Sequence, residues 1–339
     1  MKFLKLTLLL VLLAVASCKK DKNPSTSTGD VYVAGYEQSG ANAIAKFWKN
    51  GQPTILGGLQ NTSYAYSIFV SDGHVYVAGS ESDGNTEVGR VWKDGITLFS
   101  SDGLQDASFY SVYVVGGVVY AAGSEYNGST TVAKIWIDGQ ATSLGGALNT
   151  SEAYSVYVSG ADVYVAGFEN SGVGSQARVW KNGLLLANLT NGQQDASAQS
   201  ISVVGNEIYV AGYEHNGTNE VAKLWKIGKP TINLSTGPHD AQAYSVFVSG
   251  ADVYSAGGED DGTKYVAKVW KNEQEITNFS NVLGDAAVSS IYVSGADVYA
   301  AGFENKGSNY VAKVWKNGKV IFSTLEQSDA VAYSVFVVN

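Results

Sequence analysis

The amino-acid sequence predicts an all-β fold in which seven copies of a four-stranded sheet form a closed ring. Three observations support this prediction: one tryptophan recurs at a nearly constant interval, strand-like segments alternate with tight turns, and the last segment of the chain supplies a strand that the first copy lacks. The repeated body is expected to span residues 30–339.

The tryptophans give the period of the repeat. They are Trp48, Trp92, Trp136, Trp180, Trp225, Trp270 and Trp315, separated by 44, 44, 44, 45, 45 and 45 residues. A period in the forties built from short strands is typical of a β-propeller blade, whereas helical repeats of similar length would show a 3.6-residue pattern. Each copy should therefore be one blade.

Each copy contains four strand-like segments, as the second copy illustrates. Residues 67–71 and 75–79 flank an Asp-Gly turn, and residues 90–93 and 96–98 flank another. Asp-Gly or Asn-Gly between apolar runs is a strong hairpin signal. The first two segments are apolar almost throughout, which predicts that both faces of each sheet are covered by neighbouring sheets.

The two ends of the repeated body predict how the ring closes. The first copy begins with its second strand at Val31, and residues 334–338 match the first strand of the other copies. Pairing of this last strand with residues 31–35 would complete the first blade and remove a free sheet edge. This organisation resembles the β-propeller superfamily over about nine tenths of the chain. We therefore expect a seven-bladed β-propeller, although the WD, kelch and Asp-box repeat patterns are missing.

The amino-terminal segment predicts export and a lipid anchor. Residues 1–17 show the charged, apolar and small-residue order of a signal peptide, and the apolar run of residues 6–16 is about half the length of a membrane-spanning helix. The sequence Val-Ala-Ser-Cys at 15–18 resembles the lipobox of bacterial lipoproteins, which implies cleavage before Cys18 and acylation of that cysteine. A stray cysteine in an ordinary signal peptide is the alternative.

Residues 18–29 are expected to form the lipidated end and a flexible tether, because residues 19–29 contain little that could be buried. The charged run after Cys18 resembles the export tag of surface lipoproteins in Bacteroidota. The resemblance places the protein at the outer membrane or cell surface, held to the membrane by its lipid.

Composition limits the possible partners. The net charge is −9, which argues against nucleic acid or anionic lipid as the ligand. Cys18 is the only cysteine, so an intramolecular disulfide is excluded. We expect a monomer without a cofactor.

Several polar positions recur in every copy, and this repetition favours a structural role over a catalytic one. A glutamate follows each second strand, and a lysine or arginine stands nine residues later; the pairs begin with Glu37 and Lys46. These should form cross-strand ion pairs. A serine is expected to open each first strand, and five copies carry an aspartate five residues earlier. The serines are Ser67, Ser111, Ser155, Ser200, Ser245, Ser290 and Ser334.

The serines and aspartates should hydrogen-bond the backbone of the connections between blades. Alternatively, the serines could form a ring at the channel mouth that holds water or an ion. Nucleophilic catalysis requires a base beside the nucleophile, and no histidine follows the serine repeat. His74, His215 and His239 each occur at one place only, and neither a zinc site nor another metal site is predicted. The acidic residues 259–261 are expected to be a solvated loop.

Positions that vary among the copies are candidates for recognition, because the fold does not dictate them. Two such sets, one after the second strand and one before the serine, are rich in aromatic residues and belong to the face with the longer loops. The candidate binding rim comprises Tyr36, Tyr66, Tyr110, Tyr154, Phe168, Tyr213, Tyr244, Phe303 and Tyr333. Aromatic side chains at a concave mouth suit a glycan or protein ligand, although the same residues could be partly buried packing.

Three functions remain in competition at this point. The leading hypothesis is a non-enzymatic binding module for a glycan or a protein. A propeller-type hydrolase or lyase acting on polysaccharide is the first alternative, and a structural or assembly scaffold without a small ligand is the second. A pocket that combines His215 or His239 with a carboxylate would favour the enzyme.

Overall fold

A computed structural model describes residues 29–339 except 83, 171, 277, 278 and 280–283. The predicted signal peptide at 1–17, Cys18 and all of the tether except Gly29 lie outside the described residues. In the part of the chain that is described, no helix is long and apolar enough to cross a membrane. Regular structure in the described residues consists of β-strands.

The described residues form 28 strands grouped into seven blades. Blade 1 contains β1 (Asp30–Ser39), β2 (Asn42–Lys49) and β3 (Gln52–Ile55). Blade 2 contains β4 (Ser63–Ser71), β5 (His74–Ser82), β6 (Glu87–Lys93) and β7 (Ile96–Ser100). Blade 3 contains β8 (Ala107–Val115), β9 (Val118–Tyr126), β10 (Thr131–Ile137) and β11 (Gln140–Ser143). Blade 4 contains β12 (Ser151–Ser159), β13 (Asp162–Asn170), β14 (Ser175–Lys181) and β15 (Leu184–Asn188).

The remaining blades follow the same plan. Blade 5 contains β16 (Ala196–Val204), β17 (Glu207–His215), β18 (Glu220–Lys226) and β19 (Ile232–Asn233). Blade 6 contains β20 (Ala241–Ser249), β21 (Asp252–Asp260), β22 (Tyr265–Lys271) and β23 (Gln274–Glu275). Blade 7 contains β24 (Ala286–Ser294), β25 (Asp297–Asn305), β26 (Tyr310–Lys316) and β27 (Lys319–Ser323). The last strand, β28 (Ala330–Val338), belongs to blade 1.

The protein is a seven-bladed β-propeller. Each blade is a four-stranded antiparallel sheet, and blade 1 has the order β28, β1, β2, β3. The first strands contact one another in a closed order, β28, β4, β8, β12, β16, β20, β24 and back to β28, so they surround the central channel. Closure by the last strand is confirmed, and its pairing is longer than predicted, running from Asp30 opposite Val338 to Glu37 opposite Ala330.

The two ends of the ring differ, and blade 3 shows how. The turns at residues 116–117 and 138–139 lie at one end, which we call the short-turn face. The loop at 127–130 and the connection to the next blade at 144–150 lie at the other end, which we call the long-loop face. Antiparallel order places the corresponding segments of every blade in the same way.

The short turns are built from asparagine or aspartate followed by glycine. In the turn between β6 and β7, Asp94 has a φ of 51° and Gly95 a φ of 87°, which are left-handed values that these residue types tolerate. The Asp94 carboxylate also accepts a hydrogen bond of 2.9 Å from the backbone N–H of Val75. The turn residue therefore ties the third strand's end to the start of the second strand.

The hydrophobic core lies between neighbouring blades. Trp92 of blade 2 is 1% exposed and packs with Tyr32, Ala34 and Phe47 of blade 1. The other tryptophans are equally buried, at 1–3% exposure. The repeated tryptophans are thus part of the core between the blades.

The seven predicted ion pairs between glutamate and base all form, beginning with Lys46 and Glu37 at 2.7 Å. Each pair is diagonal, since Lys46 stands opposite Gly35 and Glu37 stands opposite Ile44. The side chains are more buried than surface pairs usually are; Glu169 and Arg178 are 7% and 18% exposed. Loss of one partner would consequently leave a poorly hydrated charge.

Candidate ligand-binding site

A β-bulge in every first strand positions the candidate rim. In blade 2 the register between β4 and β5 shifts between Ala65 and Ser67, so that Tyr66 is the extra residue. The bulge brings the Tyr64 carbonyl oxygen close to the partner strand, where a Cβ added to Gly79 would lie 1.9 Å from it. Only glycine fits there.

The same glycine occurs at the bulge of every blade, and the added Cβ would meet a backbone oxygen at 1.9–2.0 Å each time. The glycines are Gly35, Gly79, Gly123, Gly167, Gly212, Gly257 and Gly302. The sequence alone did not predict a role for these glycines. They allow the bulge that carries the rim side chain.

The prediction that the serines open the first strands is wrong. Strand β4 begins at Ser63, before Ser67, and the other first strands likewise begin four residues before their serines. Rim position 66 and its counterparts consequently lie within strands rather than in loops. Backbone hydrogen bonding on a strand holds these side chains more firmly than a loop would.

Four bulge tyrosines from consecutive blades contact one another at the long-loop end of the channel. The ring centroids of Tyr333 and Tyr66 are 5.4 Å apart, those of Tyr66 and Tyr110 are 5.5 Å apart, and those of Tyr110 and Tyr154 are 5.3 Å apart. These distances are typical of aromatic pairs in contact. The four rings form a continuous arc across blades 1 to 4.

Three further rings extend this arc outward. Tyr36 lies 6.0 Å from Tyr333, and Phe168 lies 6.0 Å from Tyr154. Tyr64, which the sequence analysis missed, lies 5.2 Å from Tyr36 and 5.9 Å from Tyr66. We call the set Tyr36, Tyr64, Tyr66, Tyr110, Tyr154, Phe168 and Tyr333 the aromatic mouth.

The other three predicted rim residues lie outside this set. The Tyr244 hydroxyl is 3.0 Å from that of Tyr265, and Phe303 packs edge-on against Tyr310 at 5.1 Å. Burial raises the pKa of Tyr213 to about 12, and nearby carboxylates contribute to the shift. The seven-fold symmetry of the fold is therefore broken at the mouth, with the aromatic arc on one side.

The serines form a closed ring of hydrogen bonds next to the aromatic mouth. Each hydroxyl oxygen accepts from a backbone N–H of the next blade's first strand, at 3.1–3.2 Å; Ser67 accepts from Val112 and Ser334 accepts from Ile68. The prediction that the serine hydroxyls bond the connections between blades is therefore wrong, because their backbone partners lie in the first strand of the next blade. These bonds join the innermost strands directly.

The aspartates behave differently from the serines. The carboxylate of Asp106 accepts a hydrogen bond of 2.8 Å from the backbone N–H of Glu87, at the start of β6. The four other aspartates of this repeat make the same bond to the preceding blade. Acceptance from the backbone is as predicted, but the partner is a strand end of the neighbouring blade.

A second aromatic belt lies two residues beyond the serines and was missed by the sequence analysis. Phe69 lies 4.6 Å from Tyr113 and 4.9 Å from Phe336. Residues at i and i+2 on a strand share a face. The repeated aromatic character of this position could have revealed the belt. Its members are Phe69, Tyr113, Tyr157, Phe247, Tyr292 and Phe336.

Two half-buried carboxylates, Glu87 and Glu152, stand among the mouth residues, and a third, Glu220, lies near Tyr213 and Tyr244 outside the mouth. None of the three was predicted from the sequence. Glu87 accepts a hydrogen bond of 2.7 Å from the Ser108 hydroxyl. Glu152 hydrogen-bonds with the hydroxyls of Tyr154 and Tyr110. Glu220 accepts from the side-chain amide of Gln242.

Burial raises the pKa of two of these carboxyl groups, Glu152 and Glu220, while their hydrogen bonds oppose the shift. Burial also raises the pKa values of Tyr66, Tyr110 and Tyr154. The carboxylates Glu87 and Glu152 contribute to the raised pKa values of these tyrosines. The mouth is therefore a negative, poorly hydrated region.

A small cavity opens beside this region. It has a volume of about 200 Å³ and is lined by residues of blades 2, 3 and 4, including Glu87, Ser108, Tyr110, Ser124 and Glu152. Acidic, hydroxyl and aromatic groups thus share one recess on the long-loop face.

The histidines lie apart from this recess. His74 lies at the short-turn face, where its Nδ1 is 2.7 Å from Asp94. His215 Nδ1 accepts a hydrogen bond from the backbone of Gly217, and His215 stands opposite Glu220 in the sheet. His239 lies against Gly262.

The expectation of a solvated acidic loop at 259–261 is corrected, because Glu259 and Asp260 lie in β21 and Glu259 pairs with Lys268. The other two carboxylates are occupied by backbone donors. Asp260 accepts from the N–H of Gly262, and Asp261 accepts from those of Thr263 and Lys264. Among the described residues, no three His, Cys, Asp or Glu side chains are grouped closely enough to hold one metal ion.

Comparison of the sequence with models of known protein families gives no match. Comparison with curated protein sequences gives no significant match.

Proposed function

We propose that the protein is a lipid-anchored, non-enzymatic binding module whose ligand contacts the long-loop face at the aromatic mouth. One observation carries this proposal. The side chains that differ from blade to blade converge there, and they form a continuous aromatic arc with half-buried carboxylates beside it.

The contrast with the rest of the molecule supports a recognition role. The tryptophans, serines, bulge glycines and ion pairs recur in every blade and are explained by packing and hydrogen bonding. At rim positions the fold accepts other residues, since Gln199 and Ser289 replace the bulge tyrosine in blades 5 and 7. Tyrosines there are not required by the blade, and rigid aromatic surfaces are well suited to glycan or peptide stacking.

The lipid anchor is the second part of the proposal. It rests on the lipobox-like residues 15–18 and on Cys18 as the only cysteine of the chain. Acylation would hold the protein at the outer membrane or cell surface. Replacing Cys18 with serine should abolish incorporation of labelled palmitate in cells and leave the propeller folded, and label that survives the substitution would contradict the anchor.

The binding role is tested by screening the full chain against glycan and protein arrays and then comparing two variants. The double variant Tyr110→Ala with Tyr154→Ala removes half of the central arc, and it should weaken binding of any ligand found. Trp180→Ala removes a buried ring, for which truncation costs about 3–5 kcal/mol, and it should lower stability without altering binding per folded molecule. Unchanged binding by the double tyrosine variant, with stability lowered as much as in Trp180→Ala, would contradict the proposed face.

A further inference from the structure

Three carboxylates line the cavity beside the aromatic mouth: Glu87, Asp106 and Glu152. Asp106 is one of the repeated aspartates and accepts a hydrogen bond from the backbone of Glu87, whereas Glu87 and Glu152 stand at positions that are not glutamate in most blades. Glu87 is the first residue of the third strand of blade 2, and Glu152 is the second residue of the first strand of blade 4. Both line the same recess of about 200 Å³ between blades 2, 3 and 4. Each of the two glutamates can be compared with the residues at the equivalent position in the other six blades.

Neither position needs a carboxylate for folding. The residues equivalent to Glu87 are Ala43, Thr131, Ser175, Glu220, Tyr265 and Tyr310. The residues equivalent to Glu152 are Tyr64, Ser108, Ser197, Gln242, Ala287 and Val331. Only in this recess do glutamates at both positions meet. Because burying a carboxylate costs free energy, two such groups in one recess indicate a role in recognition.

The bonds made by the two carboxylates leave their charge uncompensated. Glu87 is bonded to a serine hydroxyl, and Glu152 to two tyrosine hydroxyls. By contrast, the repeated glutamate forms an ion pair with a lysine or arginine in every blade, as Glu81 does with Arg90 at 2.8 Å. These glutamates lie near the ends of the second strands and not after them, as the sequence had predicted. The recess is thus a place where a bound cation would replace a missing partner.

The shape and donors of the recess indicate which cation fits. Its volume is below the range of about 300–1,000 Å³ usual for whole small-molecule ligands, so only the end of a larger ligand can enter. A primary ammonium group carries three N–H donors that can be shared among separate carboxylate and hydroxyl oxygens. The aromatic ring of Tyr110, which lines the recess, adds a favourable neighbour for a positive charge.

We infer that this recess binds the protonated primary amine at the end of an alkyl chain, as on a lysine side chain of a partner peptide. The four-carbon stem of lysine can reach into a narrow recess, whereas an amine attached directly to a sugar ring cannot enter without the ring. This inference rests on the proposed binding function and assigns a ligand chemistry to the same face.

The test is calorimetric titration of the full chain with the peptide Gly-Lys-Gly-Lys-Gly and with the same peptide acetylated on both lysines. We expect saturable binding of the first peptide, weakened by salt, and at least about tenfold weaker binding of the acetylated one. Glu87→Gln and Glu152→Gln should each weaken binding of the lysine peptide by about tenfold or more. The matched control is Glu220→Gln, which removes a half-buried carboxylate outside the recess and should leave affinity unchanged.

Three outcomes would overturn the inference: equal binding of both peptides, no effect of Glu87→Gln and Glu152→Gln in variants that melt like the native protein, or preference for glucosamine oligomers over the lysine peptide. Its failure is distinguishable from failure of the proposed function. If an array ligand depends on Tyr110 and Tyr154 but the lysine peptide does not bind, the binding face stands and the amine assignment falls.

Discussion

A buried hydroxyl in blade 6 provides a quantitative test of how well the blades can be compared. Ser255 is 1% exposed, and its Oγ has no hydrogen-bond partner among the described residues. It lies opposite Trp270 in the sheet. The equivalent residues in the other blades are all apolar and 0–2% exposed: Val33, Val77, Ala121, Val165, Val210 and Ala300.

Ser255→Val should stabilise the protein. A buried hydroxyl without a partner costs about 1–3 kcal/mol, and each additional buried methyl group contributes about 0.8 kcal/mol. Valine already fits beside the tryptophan in four blades, so strain from overpacking is not expected to cancel the gain. The free energy of unfolding should rise by about 2 kcal/mol or more.

Denaturant unfolding gives this difference as an increase in the midpoint with an unchanged slope. Ala121→Ser is the reciprocal control, because it introduces the same hydroxyl into blade 3 and should destabilise by about 1–3 kcal/mol. A Ser255→Val protein that is no more stable than the native one, with an unchanged slope, would refute the reasoning. The hydroxyl would then be satisfied, or the surroundings contracted round the smaller side chain.

Three further predictions concern closure, ion pairs and pH. Removal of residues 330–339 should abolish cooperative melting and cause aggregation, because it deletes the first strand of blade 1; a normal melt would contradict the closure. Glu169→Ala should lower the free energy of unfolding by about 3 kcal/mol or more, because it leaves Arg178 without its ion-pair partner in a poorly hydrated site. Asp162→Ala, at an exposed ion pair, should lower the free energy of unfolding much less. Burial raises the pKa of Glu152 above its ordinary value of 4.5. Between the pKa of the unfolded chain and the higher pKa of the folded protein, the folded protein therefore holds a proton that the unfolded chain has released. The free energy of unfolding consequently falls as the pH rises through this range. The stability of Glu152→Gln relative to the native protein should therefore be greater at about pH 8 than at about pH 4, and a constant difference would contradict the assignment.

The fold could be predicted from the sequence because its signals are local and repeated. The tryptophan period, the Asx-Gly turns and the matching strand at the chain's end each follow from residue order alone. The true start of the first strands could not be predicted in the same way. A bulge at Tyr66 shifts the side-chain alternation, so residues 63–66 and residues 67–71 do not share one continuous period of two, on which strand prediction depends.

The candidate site was predictable only in part. Aromatic variation among copies identified Tyr66, Tyr110 and Tyr154, which the structure brings together. Glu87 and Glu152 were missed because each is unremarkable in its own blade and they meet only across blades 2 to 4. Such contacts between blades depend on the tilt and stacking of whole sheets, which the spacing of residues along one chain does not specify.

The described chain enters the ring at the short-turn face. Gly29 precedes Asp30, and β1 runs from the short-turn face toward the long-loop face. Residues 1–28 are thus joined to the end of the cylinder opposite the aromatic mouth. If Cys18 carries the proposed lipid, the attached end of the chain and the aromatic mouth are on opposite sides of the ring, so a ligand can reach the mouth without meeting the attached end.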